Sequence, residues 1–171
     1  MAGRHRTPGQ RYPSGGLRPR RDHGTPEVIA KRLMMVGPGD PALAHYPLGI
    51  ALARHVITDD QHQAGLAYAL AFAVAIGRPA SGAGRALSRY LAEDGRQLSE
   101  EARVRLTAAW RAYGDALLRR SRSLKDVVDN VAVFERTPTW LVPGHVSADT
   151  DLRARARLIE GLDIIARTKA S

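Results

Sequence analysis

Apolar residues recur three and four positions apart through most of the chain, the spacing of one helix face rather than the alternation of a strand. The densest run covers residues 59–77. Leu66, Leu70 and Val74 form one row there, and Tyr68, Phe72 and Ile76 a second. A helix apolar on every side is a buried one, so this segment is expected at the centre of the fold. Its start is marked by Thr58 and Gln61, spaced as a capping box, and by Asp59 and Asp60 at the positive end of the helix dipole.

The other elements are punctuated in the same way. Thr25 and Pro26 suit the first positions of a short helix that Gly37 can stop. A turn-rich connector over 37–45 follows, then a helix opened by Pro47. Ser99 is placed to cap a long helix with two Glu in its first turn and two Arg in its last, and Leu106, Trp110, Tyr113 and Leu117 share one face of it. Ser123 is expected to cap the next helix, with Leu124, Val127, Val128, Val131 and Phe134 facing inward until Pro138 ends it. Trp140 and Leu141 are expected to tuck onto the core. A last helix begins at Asp149 or Thr150 and buries Leu152, Leu158, Ile159, Leu162 and Ile165. The region between residues 77 and 97 mixes Gly, Pro and Ser with one weak helical turn near 86–92. No internal repeat and no long heptad seam is present.

Residues 1–24 have no hydrophobic period and are rich in Arg, Gly and Pro. They cannot bury enough apolar surface to offset their ordering entropy, and a disordered arm is expected. The resulting prediction is all-α: a single compact bundle of about five to six helices around a central apolar helix, spanning 25–169, behind a basic arm at 1–24.

Composition supports helices. Hydrophobic residues make up 44 % and aromatics only 5 %, with Ala and Leu dominant, a poor mixture for a β-sandwich. The absence of Cys excludes disulfides, thiolate metal sites and cysteine nucleophiles. No apolar stretch follows the basic N-terminus as in a secretory signal, and the most apolar run is short for a bilayer span. A soluble, cytoplasmic protein without membrane association is the expectation.

The formal net charge is +9, with a pI near 10.7. A surplus of this size attracts polyanions, although an Arg- and Ala-rich composition can also reflect the genome alone. Arg4, Arg6, Arg11, Arg18, Arg20 and Arg21 stand against one acid, Asp22, in the arm. Arg119, Arg120, Arg122 and Lys125 surround one interhelical turn, and Arg153 and Arg157 fall on the exposed side of the last helix. Arg155 falls nearer its apolar side, where it would need to snorkel or find an acid. If the turn and the last helix face the same way, they form one basic patch to which the arm can add. Phosphate contacts need little else.

Catalytic chemistry is not visible. The six His show no ligand pair at helical spacing; His55 and His62 flank one turn and could approach each other, with surface or capping duty the ordinary reading. The Gly-rich pieces at 37–40 and 81–84 match neither a phosphate loop nor a dinucleotide fingerprint. Asp126 and Asp129 read as a solvated face. Glu135 and Arg136 beside Trp140 read as a helix end, with a buried ion pair or small recognition pocket as the alternative. No catalytic residue, metal site or cofactor is expected.

Residues 46–72 have the outline of a helix-turn-helix. Yet no Lys or Arg occurs from Asp59 through Gly77, and two Asp stand where phosphates would lie. A recognition helix needs polar and basic groups reaching base edges. This segment reads as core.

Three stretches, "RDHGTPEV", "YPLGIALARHVITDDQHQAGLAYA" and "SLKDVVDNVAVFERTPTWL", together about a third of the chain, resemble small basic bacterial proteins often associated with prophage regions. The resemblance implies a phage or mobile-element role such as DNA packaging or transcription control, with a small terminase subunit as one candidate. It implies no catalytic residues. The expected function is non-enzymatic DNA binding through the arm and the Arg-rich surface. A structural or adaptor protein, forming a homo-oligomer or docking a phage protein, is the alternative, and an enzyme with no readable motif the third.

Overall fold

The computed structural model describes residues 26–37, 40–76 and 98–170. The expected arm, its Thr25 cap and the weak helical turn at 86–92 lie outside the described residues. Among those described, the elements are α1 (Pro26–Val36), a 3-10 turn (Pro41–His45), α2 (Pro47–Ala53), α3 (Asp59–Ile76), α4 (Glu100–Arg120) and α5 (Arg122–Val128). A π-helical turn (Asp129–Val133), a second 3-10 turn (Thr139–Leu141) and α6 (Asp149–Ala170) complete them. The all-α prediction holds.

α3 is the central element. It packs along α4 and α6, and its middle meets the π turn. Its start is the expected capping box: the Thr58 amide donates to Gln61 Oε1 at 2.9 Å, and the Gln61 amide to Thr58 Oγ1 at 3.3 Å. Gln61 then donates from Nε2 to Asp163 Oδ1 at 2.8 Å, tying the cap to α6. α1 stops at Gly37, whose φ of 70° is a conformation glycine adopts without penalty.

The buried surface of α3 differs from the expectation. Ala64, Gly65, Tyr68, Ala69, Ala71 and Ala73 are buried, whereas Leu66, Leu70 and Val74 are half-buried and Ile76 is 52 % exposed. The small residues let neighbouring helices approach closely, and the bulky row lies to the side. Close approach also operates on α6. A Cβ at Gly161 would stand 2.4 Å from Val128 Cγ2 and 3.0 Å from Leu124 Cδ2.

Tyr113 and Leu117 of α4, Leu124, Val128, Val131 and Val133, and Leu158, Leu162 and Ile165 of α6 complete the core, with Leu141 fully buried and Trp140 packed against it. Ser121, not Ser123, holds the N-cap position of α5 in extended backbone. Phe134 is half exposed, because the π turn advances the helical phase so that Val133 takes the inward place. Leu152 and Arg155 are exposed together. The buried stripe of α6 is Leu158, Gly161, Leu162 and Ile165, and its extension back through Ala154 bypasses both.

Candidate nucleic-acid interface

Two buried polar arrangements fix the scaffold beneath the charged surface. The Tyr68 hydroxyl, fully buried, donates to Asp129 Oδ1 at 2.5 Å, and Lys125 Nζ donates to Asp129 Oδ2 at 2.5 Å. Burial and the Asp129 carboxylate push the Tyr68 hydroxyl far above its ordinary range. Lys125 also lies over the Trp110 ring, 5.4 Å from its centroid. Asp129 is therefore a structural acceptor and not part of a solvated face, and Lys125 is held inward by it. Arg54 likewise serves the fold, donating from Nε to Met35 O at 2.7 Å and from Nη1 to Leu141 O at 2.9 Å. Nothing in the local sequence distinguishes Arg54 from a surface arginine.

The second arrangement joins Tyr46 to α3. The Tyr46 hydroxyl and His62 Nε2 lie 3.0 Å apart, with His62 buried and its Nδ1 without a partner. Burial lowers the His62 pKa, opposed in part by Asp59, so the ring is held neutral. His55 is exposed, in positive-φ backbone, at the turn between α2 and α3. The two histidines thus occupy different environments. Among the described residues no cluster of His, Asp or Glu could hold a metal ion.

Arg119, Arg120 and Arg122 are exposed at the junction of α4 and α5. Arg120 Nε donates to Glu160 Oε1 at 2.5 Å, which joins this junction to α6 and raises the Arg120 pKa. Glu160, Arg157 and Arg153 follow at steps of three and four, so they share one face of α6. The junction and the α6 stripe therefore meet at the Arg120–Glu160 pair. Arg119, Arg122, Arg153 and Arg157 have no ion-pair partner among the described residues. The six arginines of the arm lie outside those residues.

The distribution of charge is uneven. The described residues hold 16 Lys and Arg against 14 Asp and Glu, a net of +2. Residues 1–24 carry six Arg against one Asp, a net of +5. The helical surface alone is thus nearly neutral, with a local arginine concentration; the surplus belongs mainly to the arm.

Before α6 the chain is organised by Asp151. It accepts from the Thr139 hydroxyl at 2.7 Å, from His145 Nε2 at 2.9 Å and from the Ala148 amide at 3.1 Å. These bonds, Thr139 first, hold its carboxyl below the usual carboxylate range. Glu135, with a φ of 49°, stands just past the end of the helix, as expected. Arg136 lines an open cleft with Asp126, Asp129, Asn130 and Phe134.

The fold and surface define a helical bundle with an arginine-bearing junction. No protein family matches the chain, and comparison with curated proteins and with solved structures gives no match. No helix among the described residues is long and apolar enough to cross a membrane.

Proposed function

We propose that the protein binds DNA without catalysis, contacting phosphates through the arm and the arginines at the α4–α5 junction and on α6. The uneven charge carries this reading: +5 in 24 residues, beside an almost neutral helical surface on which the Arg120–Glu160 pair joins the junction of Arg119 and Arg122 to the α6 face that carries Arg153 and Arg157. Such contacts are sequence-independent and release counterions. A phage or mobile-element setting, which the resemblance of three segments implies, is part of the proposal.

Anisotropy titration of a duplex across salt concentrations tests it. Six arm arginines and the four unpaired helical arginines on phosphates give a log–log salt slope of about −9, which removal of residues 1–24 reduces to about −4. Affinity indifferent to salt, or none at low salt, refutes the proposal. A structural or adaptor role is favoured by Val142, Val146 and Leu152, apolar and exposed around the start of α6, Val146 at 88 %. Light scattering that shows an oligomer indifferent to DNA supports that role instead.

A further inference from the structure

The α5 helix ends in an irregular segment whose inner side, Val131, Ala132 and Val133, belongs to the core and whose outer side does not. α5 runs into the π turn, Phe134 donates its amide back to Asp129 O, and Glu135 takes a φ of 49°. A non-glycine residue in that region is strained. The chain then returns so that the Arg136 amide donates to Asn130 O at 2.8 Å. The result is an open cleft of about 380 Å³ lined by Asp126, Asp129, Asn130, Phe134 and Arg136.

The groups in this cleft divide into fixed and free. Both oxygens of Asp129 are taken by Tyr68 and Lys125, so it forms a neutralised wall. Asn130 donates from Nδ2 to Asp126 O, which orients its amide and leaves Oδ1 to accept. The Asp126 carboxylate and the Arg136 guanidinium are exposed, with no ion-pair partner among the described residues. Phe134 is braced edge-on by Phe72, ring centroids 6.0 Å apart, and is 50 % exposed. The free set is one aromatic ring, two acceptors and one guanidinium. Its complement is a planar heterocycle with adjacent N–H donors and an attached anion.

We infer that this cleft binds an unpaired guanine nucleotide, the base stacked on Phe134 and the phosphate on Arg136. The guanine N1–H and 2-amino groups are adjacent donors that a carboxylate and an amide oxygen accept together. Adenine presents a bare N1 at that place and would face Asp126 lone pair to lone pair. Stacking tolerates any base, so the carboxylate supplies the choice. The inference stands on the cleft alone and does not depend on the arm.

Calorimetric titration of the full chain with guanosine, adenosine, cytidine and uridine monophosphates, guanosine and inorganic phosphate tests it. Guanosine monophosphate is expected to bind most tightly. Phe134→Leu, which keeps apolar cover over Phe72, weakens it about tenfold. Asp126→Asn removes the preference for guanine, and Arg136→Gln weakens the monophosphate but not guanosine. Both Asp126 and Arg136 are exposed, so these variants fold. Equal binding of all four nucleotides and phosphate, or a Phe134→Leu variant unchanged in affinity, overturns the inference. Duplex binding measured in parallel separates the two proposals: salt-dependent duplex binding with no guanosine monophosphate binding removes the cleft alone.

Discussion

Tyr68→Phe removes one oxygen from the centre of the bundle and leaves the ring. In the folded chain that oxygen is inaccessible to water and donates to Asp129 at 2.5 Å. Hydrogen bonds to a charged acceptor contribute about 1.5–3 kcal/mol, and Asp129 keeps Lys125 as its other partner. The expected loss is about 2 kcal/mol, a sizeable share of the roughly 5–15 kcal/mol of an ordinary domain. Asp129→Ala costs more, about 3–5 kcal/mol, because it strands both a buried hydroxyl and a mostly buried ammonium. Urea unfolding followed by helical circular dichroism measures both, with an unchanged m-value. In a chain of this size the Tyr68→Phe loss lowers Tm by about 4–8 °C. The double variant should lose about 1–2 kcal/mol less than the sum of the singles, since the shared bond can be lost only once. A Tyr68→Phe chain within about 0.5 kcal/mol of the parent, or additive singles, refutes the view that this network holds α3 against the π turn.

Three further outcomes follow from local geometry. His62 has a lowered pKa in the folded state, so the unfolded chain binds the proton first; stability is present above about pH 6.5 and falls as pH drops toward the folded value. Urea midpoints at pH 7.5 and 5.5 should show that loss in the parent and a smaller one in His62→Gln. Gly161→Ala places a Cβ 2.4 Å from Val128 Cγ2 and is expected to cost about 1–3 kcal/mol, read as a lower Tm. Thr58→Ala removes the side chain that caps α3 and is expected to cost about 1 kcal/mol by urea unfolding.

The legible parts of this fold are those decided within one turn of helix. Thr58 with Gln61, Ser99 before Ala102, and Gly37 behind α1 are local hydrogen-bond problems with local solutions, and the structure has each one. Which face a helix buries is not local. In α3 the sequence offers bulky and small residues on different sides, and bulk argues for Leu66, Leu70 and Val74. The closer approach allowed by Ala64, Gly65, Ala69 and Ala71 prevails, because it is the spacing between helices that sets how much surface all of them bury. Phase is not local either. A period counted from Leu124 reaches Phe134 only if the helix stays α-helical, and Asp129 sits where the period changes, held by Tyr68 from 61 residues away.

The candidate site inherits the same division. Exposure of Arg119, Arg122, Arg153 and Arg157 could be read from helix faces, but their proximity depends on Arg120 meeting Glu160 forty residues along the chain. Lys125 shows why composition alone misassigns charge. It stands in a basic run with Arg119, Arg120 and Arg122, yet it lies four residues before Asp129, and that spacing on a helix is the geometry of an ion pair. Once Asp129 is anchored by Tyr68, the pair turns inward over Trp110 and Lys125 is held away from solvent. A lysine so held should contribute nothing to the salt dependence of DNA binding. Lys125→Gln should therefore leave the log–log slope unchanged while lowering stability, whereas Arg119→Gln and Arg122→Gln should each reduce the slope by about 1 without loss of stability. Anisotropy across salt with parallel urea unfolding reads both quantities, and a reduced slope for Lys125→Gln at unchanged stability would show that the buried pair opens on DNA.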